Sequence, residues 1–248
     1  MPVQEIHPDE ARLAATGGAE KRAYVRRMFS EIAPRYDLLN HVLSLSIDRT
    51  WRRRAIHALA WERAPDGVYV DLCAGTLDVG AELAQRPGFA GLVVGADFAE
   101  PMLRAGSGKA PRSVVAPVVA DALALPIPDA RAAGAIVAFG VRNLTDLDAG
   151  LREACRALQP GARLVILEFS TPRAPLVRAL YHLYFRRILP LIGRIVSGHP
   201  TAYRYLPESV ANFPDREQLA RRMERAGFRN VRWRALTFGI AALHWGER

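Results

Sequence analysis

Chemistry-bearing residues stand where apolar runs of this sequence break into turns. The first run closes in Val70-Asp71-Leu72-Cys73-Ala74-Gly75-Thr76-Leu77-Asp78, a turn of small residues. Between a strand and a helix, such a turn lets the backbone approach a nucleotide, and the helix start offers free N–H groups. The second run, Val93-Val94-Gly95-Ala96, ends in Asp97. A carboxylate there accepts both hydroxyls of a ribose, and it is equally suited to capping the helix that begins near Pro101. The third run ends in Ala120-Asp121-Ala122, whose acid can take a hydrogen bond from an adenine amino group or cap its own loop. The fourth ends in Ala138-Phe139-Gly140-Val141-Arg142-Asn143, putting a cation and an amide where packing has no use for them. The first turn is not G-x-G-x-x-G, so the dinucleotide fingerprint is absent. A small-residue turn followed one strand–helix unit later by an acid points instead to an adenosine-type ligand.

Those residues need strands to carry them. The runs at residues 68–72, 91–96, 114–119, 132–139 and 163–169 are continuous rather than alternating, as in strands buried on both faces. Helical spacing falls between them at 79–85, 101–105 and 147–158, and strand–helix alternation predicts a parallel sheet. A helix over 216–226, ended by Gly227, precedes two more runs at 231–236 and 239–244 joined by Thr237-Phe238 as a hairpin. The expected fold is therefore α/β: a doubly wound, mostly parallel, seven-stranded sheet with an antiparallel edge hairpin.

Two segments lie outside this alternation. Residues 19–64 form a helical cap, interrupted at Pro34 and resumed at Trp51-Arg52-Arg53-Arg54. Residues 172–213 are too long for a crossover and contain LVRALYHLYFRRILPLIGRIV, in which apolar residues interleave with arginines. This helical insertion reads as a cover for the core, as a basic amphipathic surface at a membrane, or as a greasy lid. Residues 1–18 are polar and aperiodic, as in a mobile arm, and 19–248 form a single domain.

Composition narrows the rest. With 248 residues, 50% of them hydrophobic and 24% charged, the chain buries a full core without disulfides or metals. Of 34 basic residues only Lys21 and Lys109 are lysines, and the net charge of +9 favours an anionic partner. Cys73 and Cys155 are expected to be buried thiols in a reducing compartment. The first residues lack the apolar core of a signal peptide, and no uncharged apolar run reaches the ~18–20 residues of a membrane span. A cytoplasmic location is expected.

The motifs D-x-x-x-G-T-x-D, D-F-x-x-x-M-L, D-A-x-x-L-P-x-x-D, F-G-x-R-N and E-F-S-x-P occur in that order, at Asp71, Asp97, Asp121, Phe139 and Glu168. In this they resemble class I S-adenosylmethionine-dependent methyltransferases and, more narrowly, the ubiquinone/menaquinone biosynthesis C-methyltransferase family. Met28-Phe29, Tyr36-Asp37, Asn40, Trp51-Arg52, Tyr203-Arg204-Tyr205-Leu206, Glu208-Ser209 and Ala242-Leu243-His244 extend the likeness from about Val25 to the C-terminus. It departs at Leu77, where the family usually has glycine, and at Ala138, where a serine is common. If position 77 requires φ > 0, leucine is strained there; either the turn is built otherwise or cofactor affinity has changed.

The resemblance implies that Asp71, Gly75, Thr76, Asp97, Asp121 and Ala122 hold S-adenosylmethionine. It implies methylation of a ring carbon of demethylmenaquinol, or of the benzoquinol precursor of ubiquinone, with no metal. Such a reaction needs alignment of the carbon with the methyl group, removal of a proton and stabilisation of phenolate charge. Arg142 and Asn143 are the expected holders of the quinol oxygen, with Tyr36 and Asp37 closing the site. His41 is a weaker candidate for the base, and His199 and His244 are expected to be structural. The implied partners are a polyprenyl quinol, the inner face of a membrane and a second copy of the chain, without nucleic acid. Competing readings are methylation of another small molecule, an RNA methyltransferase (for which no catalytic cysteine pair is present), and a non-catalytic binding protein.

Overall fold

The computed structural model describes residues 20–37, 44, 46–184, 187 and 202–248, with the backbone alone at 202–204. The expected arm over 1–18, His41, His199 and most of 185–201 lie outside the described residues. Seven strands form one sheet: β1 (Val68–Leu72), β2 (Leu92–Asp97), β3 (Val115–Val119), β4 (Ala132–Ala138), β5 (Leu158–Phe169), β6 (Arg229–Leu236) and β7 (Ala241–Glu247). Their order is β3-β2-β1-β4-β5-β7-β6. The first five run parallel, β7 lies antiparallel to β5, and β6 lies antiparallel to β7 at the edge. This is the expected topology. Most strand boundaries shift by one to three residues, and the largest difference is at β5, which begins at Leu158 rather than Arg163 because the strand continues through Pro160-Gly161 with a register shift against β4.

The continuous apolar runs are explained by two cores. Alternate residues point to opposite faces of a strand, so Tyr69, Ile136 and Val165 pack on one side with Trp51 and Ile56 of helix α2 (Ile47–Leu59) and Leu83 of α3 (Asp78–Ala84). Val70, Val137 and Ile166 pack on the other with Leu151 of α5 (Leu147–Ala157) and Leu219 of α8 (Arg216–Arg225). Helix α4 (Glu100–Ala105) joins β2 to β3. A third cluster sits over the carboxyl ends of the strands. There α1 (Lys21–Ile32) contributes Tyr24, Val25, Met28 and Ile32, which meet Tyr181 of α6 (Pro175–Leu183) and Tyr205 of α7 (Ala202–Ala211). The cap and the insertion thus pack on each other. Pro34 ends α1 in a short 3-10 turn, Ala33–Arg35, and α2 starts a full turn before Trp51. Cys73 and Cys155 are free; burial pushes both thiols' pKa up, as expected of buried thiols, although each residue keeps some exposed surface.

His244 on β7 is structural, as expected. It is 1% exposed, its Nε2 lies 3.0 Å from the carbonyl of Arg216, and its Nδ1 has no partner. Burial, with the nearby Arg216 charge adding to it, pushes its pKa down to about 4. The unfolded chain, with an ordinary histidine, therefore takes up this proton at higher pH than the folded one. Stability from this group is complete above about pH 6.5 and drains away as the pH falls towards 4, by about 3 kcal/mol. Urea unfolding of His244→Gln at pH 7 and pH 4.5 is expected to show a correspondingly smaller loss than the parent chain.

Candidate active site

The strand order reverses between β1 and β4, and at their carboxyl ends lies an open cleft of about 680 Å³. Ligands of doubly wound sheets bind at this switch point. The floor is the turn after β1. Cys73, Gly75 and Leu77 all have positive φ (52°, 53° and 64°), which folds the turn back tightly. Gly75 lines the cleft, and a Cβ there would lie 3.3 Å from Cε of Met102 and 3.9 Å from the Tyr36 ring.

Leu77 therefore occupies the left-handed position where glycine is unstrained, and the turn is not built otherwise. Its side chain is 4% exposed and fills the space above Gly95, whose Cβ would stand 2.4 Å from Leu77 Cδ2. The left-handed backbone costs a non-glycine residue about 1 kcal/mol, less than the roughly 2–5 kcal/mol gained by burying the leucine. Leu77→Gly is thus expected to destabilise the fold. Leu77→Ala, which keeps the strain and loses the packing, should be less stable than Leu77→Gly by about 1 kcal/mol in denaturant melts, reversing the usual order of the two residues. Ala138 lines the cleft without a polar group.

Asp97 stands at the end of β2 and lines the cleft, 7% exposed. Its Oδ1 accepts from the Ala99 N–H (2.8 Å) and its Oδ2 from the Gly75 N–H (2.8 Å). One carboxylate thus ties the β1 turn to the β2 loop and keeps a second lone pair on each oxygen for a ligand. Burial raises its pKa, opposed by these N–H groups. At the end of β3, Asp121 and Ala122 also line the cleft; Asp121 accepts from Leu123 N–H and pairs with Arg22 of α1 at 2.9 Å. The cap supplies Phe29 and Tyr36, stacked edge to face at 5.9 Å, and the β2 loop supplies Phe98.

Other expected residues lie behind the walls. Asp71 is fully buried beneath the turn and accepts from Gly80 N–H at 3.0 Å, and burial pushes its pKa up to about 7. Thr76 turns away from the cleft and donates to Asp37 Oδ1 at 2.5 Å; Asp37 also holds Lys109 and likewise lies outside the cleft lining. Arg142 is 9% exposed and outside the lining as well. Its Nη1 donates to Glu168 Oε1 at 2.8 Å and to the Phe139 carbonyl, its guanidinium lies 5.6 Å over the Phe169 ring, and its Nε has no partner. Asn143, one residue on, does line the cleft, and its Oδ1 accepts from the Tyr205 hydroxyl at 3.1 Å. The fold thus gathers Gly75, Asp97, Asp121, Ala122, Asn143 and Tyr36 at one surface, and leaves Asp71, Thr76, Asp37 and Arg142 as its support.

Sequence reasoning passed over Arg22, Phe98, Met102, Glu168 and Tyr205. Phe98 and Glu168 sit inside the D-F and E-F-S motifs, which was signal enough. Tyr205 stands in the Tyr203-Arg204-Tyr205-Leu206 block that carries the resemblance, whereas Arg22 carries no local mark.

Comparison with known proteins decides the family. The sequence profile of the ubiE/COQ5 methyltransferase family matches residues 17–248. The chain belongs to that family. It is 50% identical over 224 residues to a demethylmenaquinone methyltransferase of Thermus thermophilus, spanning 89% of this chain and 100% of the relative. It is 47% identical to one of Deinococcus radiodurans (92% of this chain, 94% of the relative). It is 43% identical to a ubiquinone/menaquinone biosynthesis C-methyltransferase of Geobacter sulfurreducens (92% and 90%). Among solved structures, a SAM-dependent methyltransferase from Thermotoga maritima superposes with a TM-score of 0.62 at 16% identity (89% of this chain, 98% of that one), a likeness of fold. The chain is an S-adenosylmethionine-dependent methyltransferase with the class I fold.

Proposed function

We propose that this enzyme methylates a ring carbon of demethylmenaquinol, with S-adenosylmethionine held in the cleft by Asp97, Asp121, Ala122 and Gly75. The identity to demethylmenaquinone methyltransferases over nearly the whole chain carries the reading. The residues present suit the donor. Asp97 offers acceptor lone pairs to ribose hydroxyls, Asp121 and Ala122 suit an adenine edge, and the glycine at 75 leaves room beside Met102. The bound donor supplies an electrophilic methyl group, which the ring carbon takes as the S–CH3 bond breaks.

The chain's own residues must orient the acceptor and manage its proton. In this reading Asn143, fixed by Tyr205, hydrogen-bonds the quinol oxygen, and Tyr36 closes the cleft from the cap. Arg142 acts from behind that wall: held by Glu168 and the Phe139 carbonyl, its charge stabilises the phenolate as it develops, without direct contact. The ring C–H proton passes to solvent in the open cleft as aromaticity returns, the donor having become its thioether. The relative from Geobacter sulfurreducens carries a name covering both quinones, so the benzoquinol precursor is the second acceptor to test. Equal amounts of reduced demethylmenaquinone and reduced benzoquinone precursor, incubated with enzyme and donor, are expected to yield methylated naphthoquinol first. Methylation of the benzoquinol alone would overturn the assignment.

A bilayer-dissolved acceptor also asks for membrane contact. Among the described residues no helix is long and apolar enough to cross a membrane. Leu176, Leu180 and Leu183 form an exposed stripe on α6, and Phe238, 82% exposed with φ 57°, projects from the β6–β7 turn at the same end of the sheet. Surface contact through this apolar edge, at the inner face of the membrane, is part of the proposal. Flotation with anionic vesicles is expected to carry the enzyme, and the pair Leu180→Ser, Phe238→Ser to reduce it roughly ten-fold, at about 0.7 kcal/mol for each partly inserted side chain. Parent protein left unbound would overturn it.

A further inference from the structure

The two lysines stand out in a chain that uses arginine for every other cation. A position that needs only positive charge or a long amphipathic stem accepts either residue, so the exceptions mark sites where geometry discriminates. Both exceptions fasten the same segment. Lys21, the first residue of α1, is 8% exposed, and its Nζ donates to the carbonyl of Arg142 at 2.9 Å, 121 positions along the chain. That carbonyl belongs to the turn that delivers Asn143 to the cleft. Lys109, in the loop between α4 and β3, places one Nζ 2.5 Å from Asp37 Oδ2 and 2.5 Å from Asp78 Oδ1. Asp37 belongs to the cap, and its other oxygen takes the Thr76 hydroxyl; Asp78 opens α3, and its other oxygen takes Arg52 Nη1 at 2.6 Å.

Arginine fits neither place. At Lys109 a single compact ammonium meets two carboxylates from different elements. A planar guanidinium takes two carboxylates on two separate nitrogens, as Arg52 does with Asp78 (Nη1, 2.6 Å) and Asp48 (Nη2, 2.5 Å), so at position 109 it would need the two acids set further apart than one nitrogen does. At Lys21 one buried carbonyl needs one donor, beside the Arg142 charge. Five guanidinium protons would bring more buried donors than the site has acceptors. Burial, with Arg142 adding to it, lowers the pKa of Lys21; an arginine has no such relief. Arg22–Asp121, a further ion pair from α1 to the cleft, has an arginine side chain 61% exposed and adds little.

We propose that Lys21 and Lys109 are positioning residues that fasten residues 20–37 over the cleft, and that arginine replaces neither. The effect on donor binding rests on reading the cleft as the S-adenosylmethionine site. The fastening itself does not. Four full-length variants, Lys21→Arg, Lys21→Met, Lys109→Arg and Lys109→Met, would be compared with the parent by hydrogen exchange of residues 24–37 without ligand and by calorimetric titration of S-adenosylmethionine. At each site the arginine variant is expected to behave like the methionine variant. Cap amides should exchange faster, and the donor should bind roughly ten-fold more weakly, the worth of one charge-assisted hydrogen bond. Lys109 is partly exposed, so its variants keep the test alive if those at Lys21 fail to fold. Arginine variants with parental exchange and affinity would overturn the proposal, as would weakened binding with unchanged cap exchange. A parent chain that does not bind the donor would defeat the reading of the cleft and leave the exchange comparison to decide the fastening.

Discussion

Asp97→Asn is expected to weaken S-adenosylmethionine binding about a thousand-fold, in calorimetric titration at neutral pH, while the protein still folds. The carboxylate accepts from Gly75 N–H with one oxygen and from Ala99 N–H with the other. An asparagine has one acceptor oxygen, so its NH2 must face one of those donors. The cost is a charge-assisted hydrogen bond and an unsatisfied buried N–H, about 2 kcal/mol together, felt as a loosened β1 turn. A further ~2 kcal/mol goes with the anionic acceptor for the ribose. At 1.4 kcal/mol per ten-fold, the sum is about three decades in Kd. Asp129→Asn, on an exposed carboxylate, serves as the control and should bind normally. An Asp97→Asn affinity within a few-fold of the parent would mean that the donor sits elsewhere.

Glu168→Ala carries the largest expected loss of stability. Glu168 is 1% exposed, and its Oε1 accepts from both Arg142 Nη1 and the Phe169 N–H at 2.8 Å. Burial raises its pKa, and Arg142 acts against this. Removing it strands the Arg142 cation beside Lys21, with one buried partner fewer. Breaking a buried pair in this way costs about 3–5 kcal/mol, a large part of the ~5–15 kcal/mol that holds a domain together. For a chain of this size, that is a fall in Tm of about 10 °C. Arg142→Met with Glu168→Met removes both charges, and it should be more stable than Glu168→Ala though inactive if Arg142 stabilises the phenolate. Comparing the melts and the transfer rates of these variants separates the pair's structural role from its chemical one.

What the sequence made legible was local. Strand cores are runs of Val, Ile, Leu and Ala buried on both faces, so residues 68–72 and 132–138 could be read almost to the residue. A carboxylate at a strand end is placed by the strand itself, which is why Asp97 and Asp121 reach the cleft. The direction of a side chain within a turn depends on partners far away in sequence. Thr76 faces Asp37 across 39 positions and Arg142 faces Glu168 across 26; neither pairing leaves a trace in spacing. Leu77 is the reverse case. Its strain was foreseeable from its place in the turn, but the burial that offsets it needed Gly95 on the neighbouring strand.

The most direct test of the central claim follows a labelled methyl group. Enzyme loaded with S-adenosylmethionine labelled in that methyl would be mixed with reduced demethylmenaquinone in anionic vesicles, and the quinones examined by mass spectrometry. The account requires the label on the naphthoquinol ring at a rate that falls with Asp97→Asn. Donor bound in the cleft while the ring stays unlabelled would contradict it.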